Sequence, residues 1–179
     1  MADSASSTVW GYRGLYVLIA VALLFLRLLP LGSESGSWPG PNLLCAMTFA
    51  WVLRRPDYVP PLLIAMVVLL EDMLTMRPPG LWAAVVVVAA EFLRARAALT
   101  REVSFVLEWL IVGIVMAASV LAYRLILSLV MLPQVSMAQT VIQLALTILS
   151  YPVVVAVSRL ALGVRKPATG EVDAYGRRL

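Results

Sequence analysis

The adjacent carboxylates Glu71 and Asp72 are the residues whose types most directly suggest chemistry, because pairs of carboxylates carry out acid–base catalysis in many enzymes. Both lie in an apolar segment that is long enough to form a helix. Adjacent residues on a helix point about 100° apart, so the two side chains do not converge on one reacting atom. We therefore expect no catalytic residues and no enzymatic activity.

Histidine is absent, and Cys45 is the single cysteine of the chain. A Ser-His-Asp or Cys-His nucleophile system is excluded, and no disulfide can form within the chain. Zinc, haem and iron–sulfur sites usually need several His or Cys ligands. We accordingly expect neither a metal site nor a bound cofactor.

The composition indicates an integral membrane protein. Of the 179 residues, 62% are hydrophobic and only 13% are charged, and the mean hydropathy is +0.94. Soluble domains average about 45–50% apolar residues. The net charge of +4 is compatible with nucleic-acid binding. In a membrane protein, however, basic residues more often belong to cytoplasmic loops, so we expect no nucleic-acid partner.

Six apolar runs predict an all-α, polytopic membrane protein with six transmembrane helices. We expect a flexible cytoplasmic N-terminus at 1–13, one transmembrane domain at 14–164 and a polar cytoplasmic tail at 165–179. The first run lacks a small-residue cleavage pattern and a strongly basic start, so we read it as an uncleaved anchor rather than a signal peptide. The six runs cover residues 14–30, 42–53, 58–76, 81–93, 103–132 and 137–162.

Basic residues are divided unequally between the two sides of a six-helix arrangement whose ends are both cytoplasmic. Only Arg27 and Arg77 then face outward, and Arg124 lies inside the fifth run. The positive-inside rule describes this asymmetry. If the second run did not cross, Arg54 and Arg55 would face outward, so we expect the short runs to cross as well. The cytoplasmic side receives Arg13, Arg54, Arg55, Arg94, Arg96, Arg101, Arg159, Arg165, Lys166, Arg177 and Arg178.

Four ionisable residues fall in the outer half of the predicted membrane domain: Arg27, Glu71, Asp72 and Arg124. A charged residue at the centre of a membrane helix costs about 2.5–3.5 kcal/mol on insertion scales, so each of them needs a physical reason. One interpretation is a buried polar network at a binding groove or partner surface. The other is that the side chains extend to the lipid headgroups.

Arg124 shares a helix face with Gly113, Ala117 and Val120, and small residues let membrane helices approach each other closely. We expect this face to contact protein. Gln143 on the sixth run lies at a similar depth, and we expect it to hydrogen-bond Arg124. Polar residues recur on one face of the sixth run, which indicates either ordinary contacts between helices or a ligand or partner site: Gln139, Gln143, Thr147, Ser150 and Ser158.

At the cytoplasmic side, we interpret Glu91, Glu108 and Arg159 as a structural belt of charges. Glu91 lies one helical turn before Arg94, and Glu108 lies near the start of the fifth run. Arg159 could pair with either glutamate.

The stretch 49–84 contains a short motif. A basic-Pro-acidic element follows the second apolar run, an acidic residue lies late in the next run, and a Pro-Gly turn leads into a helix that opens with small residues. These features, together with the chain length, the number of helices and the short basic tail, resemble the rod shape-determining MreD family over nearly the whole chain. The matching residues are Arg55, Pro56, Asp57, Asp72, Pro79, Gly80 and Ala83.

The resemblance implies a multi-pass scaffold of the bacterial cell inner membrane, with both termini cytoplasmic and no enzymatic activity. It implies MreC, a single-span protein with a periplasmic coiled coil, as the direct partner. RodA, a class B penicillin-binding protein and the actin-like MreB belong to the wider complex, which supports regulated peptidoglycan synthesis and cell shape. Membrane lipids surround the protein. Asp72, Glu71, Arg124, Gln143 and Arg27 are the expected partner-binding or buried polar network.

The MreD family is also similar in fold to the substrate-capture subunits of energy-coupling-factor transporters. This similarity gives an alternative function, the capture of a small vitamin-type solute on the outer side. An outer pocket lined by Arg124, Asp72 and Gln143 suits either function. The loop 33–38 offers only Glu34 and one tryptophan for solute capture, which favours the scaffold.

Overall fold

The computed structural model describes residues 2–29, with side chains from Ser7 onward, and residues 39–97, 103–162 and 164. Every regular element of this part of the chain is helical, which confirms the predicted all-α class. The predicted tail at 165–179, the loop 33–38 and Arg101 lie outside the described residues. The elements are α1 (Ala2–Leu28), α2 (Leu43–Arg54), a 3-10 helix (Pro56–Tyr58), α3 (Pro61–Leu74), α4 (Leu81–Ala95), α5 (Phe105–Leu129) and α6 (Met137–Leu160).

Within the described part of the chain, three helices are long and apolar enough to cross a membrane. They are Ser7–Leu28 within α1, α5 and α6, with mean hydropathies of 1.9, 2.3 and 2.0. Helices α2, α3 and α4 have 12, 14 and 15 residues. They are shorter than the about 20 residues that usually span a bilayer. The membrane character predicted from composition is therefore compatible with three helices that are long enough to span a bilayer.

The first helix is longer than the sequence predicts. The helix begins at Ala2 and includes residues 2–13, while the flexibility that the sequence predicts for 1–13 stays a prediction. Arg13 gives this part of the helix a tertiary contact, because its Nε and Nη2 atoms each donate a hydrogen bond of 3.2 Å to the carbonyl oxygen of Asp57. The helix therefore extends past its apolar part and packs at the joint between α2 and α3.

Helix α2 forms the centre of the protein. Every residue from Leu44 to Arg54 is buried. A helix that is apolar on all sides is stable only when it is surrounded, and α6, α4, α1 and the 3-10 helix surround this one. The side chain of Asn42 caps its start by accepting a 3.0 Å hydrogen bond from the amide of Cys45. Tyr16 of α1 packs on Trp51 with ring centroids 5.7 Å apart.

Contacts between helix ends show that successive helices run in opposite directions. Arg13, in the first half of α1, bonds the Asp57 carbonyl just after α2. Arg27 at the end of α1 pairs with Glu71 near the end of α3, and Asn42 at the start of α2 bonds the same carboxylate. The ends of α1, α3 and α5 and the starts of α2, α4 and α6 therefore lie together. We call this the outer end, following the orientation expected from the charges, and we call the opposite end the inner end.

The turn between α3 and α4 explains why glycine occupies position 80. Gly80 has a φ of +87°, in the left-handed region that L-residues rarely adopt. The Oδ2 atom of Asp72 accepts hydrogen bonds from the amides of Gly80, at 3.1 Å, and Ala83, at 3.2 Å. Asp72 therefore satisfies amides at the start of α4 and fixes the antiparallel packing of α3 against α4.

We predict that Gly80→Ala lowers the free energy of unfolding by about 1–2 kcal/mol, the cost of a left-handed conformation for an L-residue. A Cβ atom at this position would meet only Leu69 Cδ1, at 3.9 Å, so the loss would report backbone strain rather than a clash. The measurement is unfolding of the purified protein in detergent. Gly14→Ala in α1, where a Cβ meets nothing within 4 Å, is the control and should be no less stable. Equal stability of the two variants would contradict this prediction.

Candidate functional site

A buried ion pair closes the inner end of the bundle. The Nη2 atom of Arg54, the last residue of α2, lies 2.9 Å from Oε1 of Glu108 in the first turn of α5. The side chains of the pair are 6% and 1% exposed. The hydroxyl of Tyr151 on α6 donates a 2.8 Å hydrogen bond to the same carboxylate oxygen. Three helices therefore meet at one pair of opposite charges.

The predicted cytoplasmic belt is arranged differently from our expectation. Arg159 is exposed, whereas Glu108 pairs with Arg54, and Glu91 pairs with Arg94 at 2.9 Å on the surface of α4. The reason is the central position of α2, which brings its C-terminal arginine against the start of α5. The sequence places Arg54 in a cytoplasmic loop and does not predict its burial. Its position directly after a largely apolar segment is the sequence feature that could have indicated burial.

Glu71 is the centre of a polar cluster at the outer end. Its side chain is 1% exposed, and its Oε1 atom pairs with Arg27 and lies 3.7 Å from Nη1 of Arg77. The amide nitrogen Nδ2 of Asn42 also donates a 3.2 Å hydrogen bond to this oxygen. The structure thus brings two of the expected network residues, Arg27 and Glu71, into direct contact, and joins α1, α2 and α3 through one carboxylate.

Asp72 is fully buried but contacts different groups. It points toward the start of α4, as described above, and its second oxygen, Oδ1, has no hydrogen-bond partner among the described residues. The expected divergence of Glu71 and Asp72 is therefore seen, because one carboxylate faces α1 and α2 and the other faces α4. They serve two separate joints of the bundle.

The expected hydrogen bond between Arg124 and Gln143 is wrong. Nη1 of Arg124 donates to the carbonyl oxygen of Val135 at 3.0 Å and to Oγ1 of Thr140 at 2.6 Å. Nε2 of Gln143 donates to the carbonyl oxygen of Gly40 at 3.2 Å. Val135 in the turn between α5 and α6 and Thr140 in the first turn of α6 supply the acceptors for Arg124. Arg124 contacts protein rather than lipid alone, but neither Asp72 nor Glu71 is its partner.

The polar face predicted on α6 is directed at α2. Oγ1 of Thr147 accepts a 2.9 Å hydrogen bond from the amide of Asn42 at the start of α2. Near its end, Nε1 of Trp51 donates a 3.1 Å hydrogen bond to Oγ of Ser158. The two helices run parallel, and hydrogen bonds at both ends set their register. These contacts show a structural role for part of this polar face.

Part of the polar face also lines a cavity of about 770 Å³ at the outer end, and Ser150 and Ser158 are not in its wall. The walls come from the start of α2, the turn between α3 and α4, the second half of α5 and the start of α6. Arg27, Arg124 and Gln143 of the expected site line the cavity, while Glu71 and Asp72 are not part of its wall. Its remaining polar lining consists of Asn42, Thr75, Arg77, Tyr123, Gln134, Gln139, Thr140 and Thr147.

The motif residues occupy the two joints on either side of α3. Pro56 and Asp57 lie in the 3-10 helix at the inner end, where the Asp57 carbonyl oxygen receives Arg13. Gly80 precedes α4 at the outer end, where Asp72 receives its amide. The residue types of Asp72 and Gly80 therefore have structural reasons at the outer joint, whereas the contact at the inner joint uses the backbone of Asp57.

Among the described residues, no group of three or more His, Cys, Asp or Glu side chains could hold a metal ion, and the expectation that the protein uses no metal stays a prediction. Comparison with protein-family models found no match. Comparisons with curated proteins and with solved structures found none either.

We predict that Glu108→Gln destabilises the protein by about 3–5 kcal/mol, because it leaves Arg54 buried without its counter-charge. Glu91→Gln is the matched control, since it breaks an ion pair in which the glutamate side chain is 43% exposed, and it should cost less than about 1 kcal/mol. Unfolding of both variants in the same detergent provides the measurement. Equal effects of the two substitutions would show that the Arg54–Glu108 pair does not stabilise the bundle.

Proposed function

We propose that this chain is a non-enzymatic scaffold of the bacterial cell-elongation complex, similar to the MreD family, and that it binds MreC in the inner membrane. The observation that carries the proposal is that the motif residues form the joints on either side of α3. Asp72, Pro79 and Gly80 build the joint between α3 and α4, and Pro56 and Asp57 build the joint before α3. A scaffold acts through the shape that it presents to its partners, so a motif whose residues determine the fold supports this function.

The scaffold proposal includes six membrane crossings with both termini cytoplasmic. Alternating helix directions support it, because all the helix ends gather at two ends of the bundle. The short helix α3 also exposes apolar residues on one face, as a lipid-facing helix would, with Leu62, Met66 and Met73 each at least 59% exposed. Local thinning of the bilayer accommodates short helices.

The outer turns offer a surface for the partner. Met76 is 93% exposed and Met131 is 92% exposed, and both have a φ of +54°, which is uncommon for a residue other than glycine. Leu129, beside Met131, is 83% exposed. Apolar side chains held at the tips of two turns are suited to contact a neighbouring protein at the membrane surface. We assign this surface to MreC, whose coiled coil lies on the same side in the proposed orientation.

We predict that MreC co-purifies with the protein from native membranes, and that the double variant Met76→Gln and Met131→Gln lowers its recovery several-fold. The reason is the loss of two apolar contacts at the outer surface. Leu160→Gln, which changes an apolar residue at the inner end that is 80% exposed, is the control and should leave recovery unchanged. RodA should be recovered through the same complex.

Failure to recover MreC with the unaltered protein would contradict the scaffold function. Recovery that is insensitive to Met76 and Met131 would instead contradict only the assigned surface.

The outer cavity favours a second candidate function, the capture of a small vitamin-type solute by a transporter subunit. Its volume of about 770 Å³ lies within the range of ligand pockets. The same native-membrane purification distinguishes the two functions. Recovery of an ATPase module together with a small solute, in place of MreC, would support transport.

A further inference from the structure

We propose that the outer cavity is a binding site for an anionic amphiphile, a phosphate group attached to an apolar body. This inference goes beyond the scaffold function and does not depend on it. It rests on three separate features of the cavity, which are its charge, its apolar depth and an unsatisfied donor in its wall.

The charge of the cavity is positive. Arg27, Arg77 and Arg124 all line it, and no acidic side chain does so among the described residues. Glu71 lies behind the wall and is shared between Arg27 and Arg77, so one carboxylate serves two guanidinium groups. The hydrogen bonds of Arg124 go to neutral acceptors, the Val135 carbonyl and the Thr140 hydroxyl. An anion would therefore gain charge-assisted hydrogen bonds here.

Deeper than Arg124, the wall of the cavity is largely apolar, apart from Asn42 and Thr147, which hydrogen-bond each other. Arg124 lies five residues before the end of α5, whereas Val120 and Met116 line the cavity one and two turns deeper. Cys45 in the first turn of α2 and Leu144 on α6 line it at corresponding depth. A molecule with a charged head and an apolar body matches this gradient, with the head toward the outer end and the body toward the middle of the bundle.

The third feature is a buried hydrogen-bond donor without a partner. Trp82 lines the cavity and is 6% exposed, and its indole Nε1 has no acceptor among the described residues. Buried donors are nearly always paired, so an orphaned one in a cavity wall points to an acceptor that the cavity receives. The guanidinium carbon of Arg77 lies 5.9 Å from the centre of the Trp82 ring, which places a cation beside this donor.

Phosphate fits these features better than a solitary carboxylate, because it offers enough oxygens for several guanidinium groups and an indole donor. Two kinds of ligand carry such a phosphate group, a lipid headgroup and a free organic phosphate. The apolar interior favours the lipid, and the experiment below separates the two.

The test is calorimetric titration of the purified protein in a neutral detergent. The probes are short-chain phosphatidylglycerol, short-chain phosphatidylcholine and sn-glycerol 3-phosphate. We expect phosphatidylglycerol to bind at least ten-fold more tightly than phosphatidylcholine. Arg124→Gln should weaken its binding about ten-fold, and Arg124→Lys, which keeps the charge, should weaken it less. Arg159→Gln, an exposed arginine at the inner end, is the matched control and should change nothing.

Gel filtration would reveal misfolding of Arg124→Gln. Two further variants test the proposal independently of it. Arg77→Gln removes another cation of the rim, and Val120→Phe fills part of the interior without altering charge, and both should weaken phosphatidylglycerol binding. Weaker binding of glycerol 3-phosphate than of phosphatidylglycerol would support the lipid as the ligand. Equally tight binding of the two would overturn the amphiphile, because the apolar body would then contribute nothing to binding. The proposal is overturned if neither anion binds, or if Arg124→Gln, Arg77→Gln and Arg159→Gln bind phosphatidylglycerol alike.

Discussion

Burial of the short helix α2 is the constraint on which the rest of the structure depends. Its apolar residues can be covered only by other helices, and its two ends carry groups that must be paired once they leave water. At the start, Asn42 bonds Glu71 and Thr147. At the end, Arg54 pairs with Glu108. Because an unpaired buried charge costs several kcal/mol, these pairings determine where α3, α5 and α6 are placed around α2.

The buried charges at the two ends of the bundle are paired in different ways. The inner end is closed, because the positive charge of Arg54 meets Glu108 and a tyrosine hydroxyl completes the group. The outer end is open, since Glu71 is shared by two arginines and Arg124 adds a third cation at a cavity. The inner end thus resembles a structural joint, and the outer end is where the protein is suited to receive a partner or a ligand.

Much of the fold could be predicted from the sequence, since apolar runs and Pro-Gly punctuation specify helices and turns locally. The run 81–93 corresponds to α4, and the run 137–162 corresponds to α6, each within two residues at both ends. Interactions between helices were less predictable. The partners of Arg124 depend on how the turn after α5 folds back, and that path is set by tertiary contacts rather than by spacing along one helix.

The same distinction applies to the candidate site. Charges in apolar segments singled out Arg27, Glu71 and Asp72, because such charges are costly in a membrane fold, but the sequence left open whether they form a buried network or extend to the headgroups. Their division between two joints, and the contribution of Arg77 and Trp82 to the cavity, required the packing of α3 against α4. A turn residue such as Arg77 has no periodic pattern that would assign it to a site.

The central claim is that the short helices cross the membrane together with the long ones, and cysteine accessibility tests it most directly. In a Cys45→Ala background, Pro79→Cys lies before α4 at the outer end and Ala95→Cys is the last residue of α4 at the inner end, and both positions are exposed. The account predicts that a membrane-impermeant maleimide labels position 79 in intact cells, and labels position 95 only after permeabilisation. Labelling of both positions in intact cells would contradict it, because α4 would then not cross.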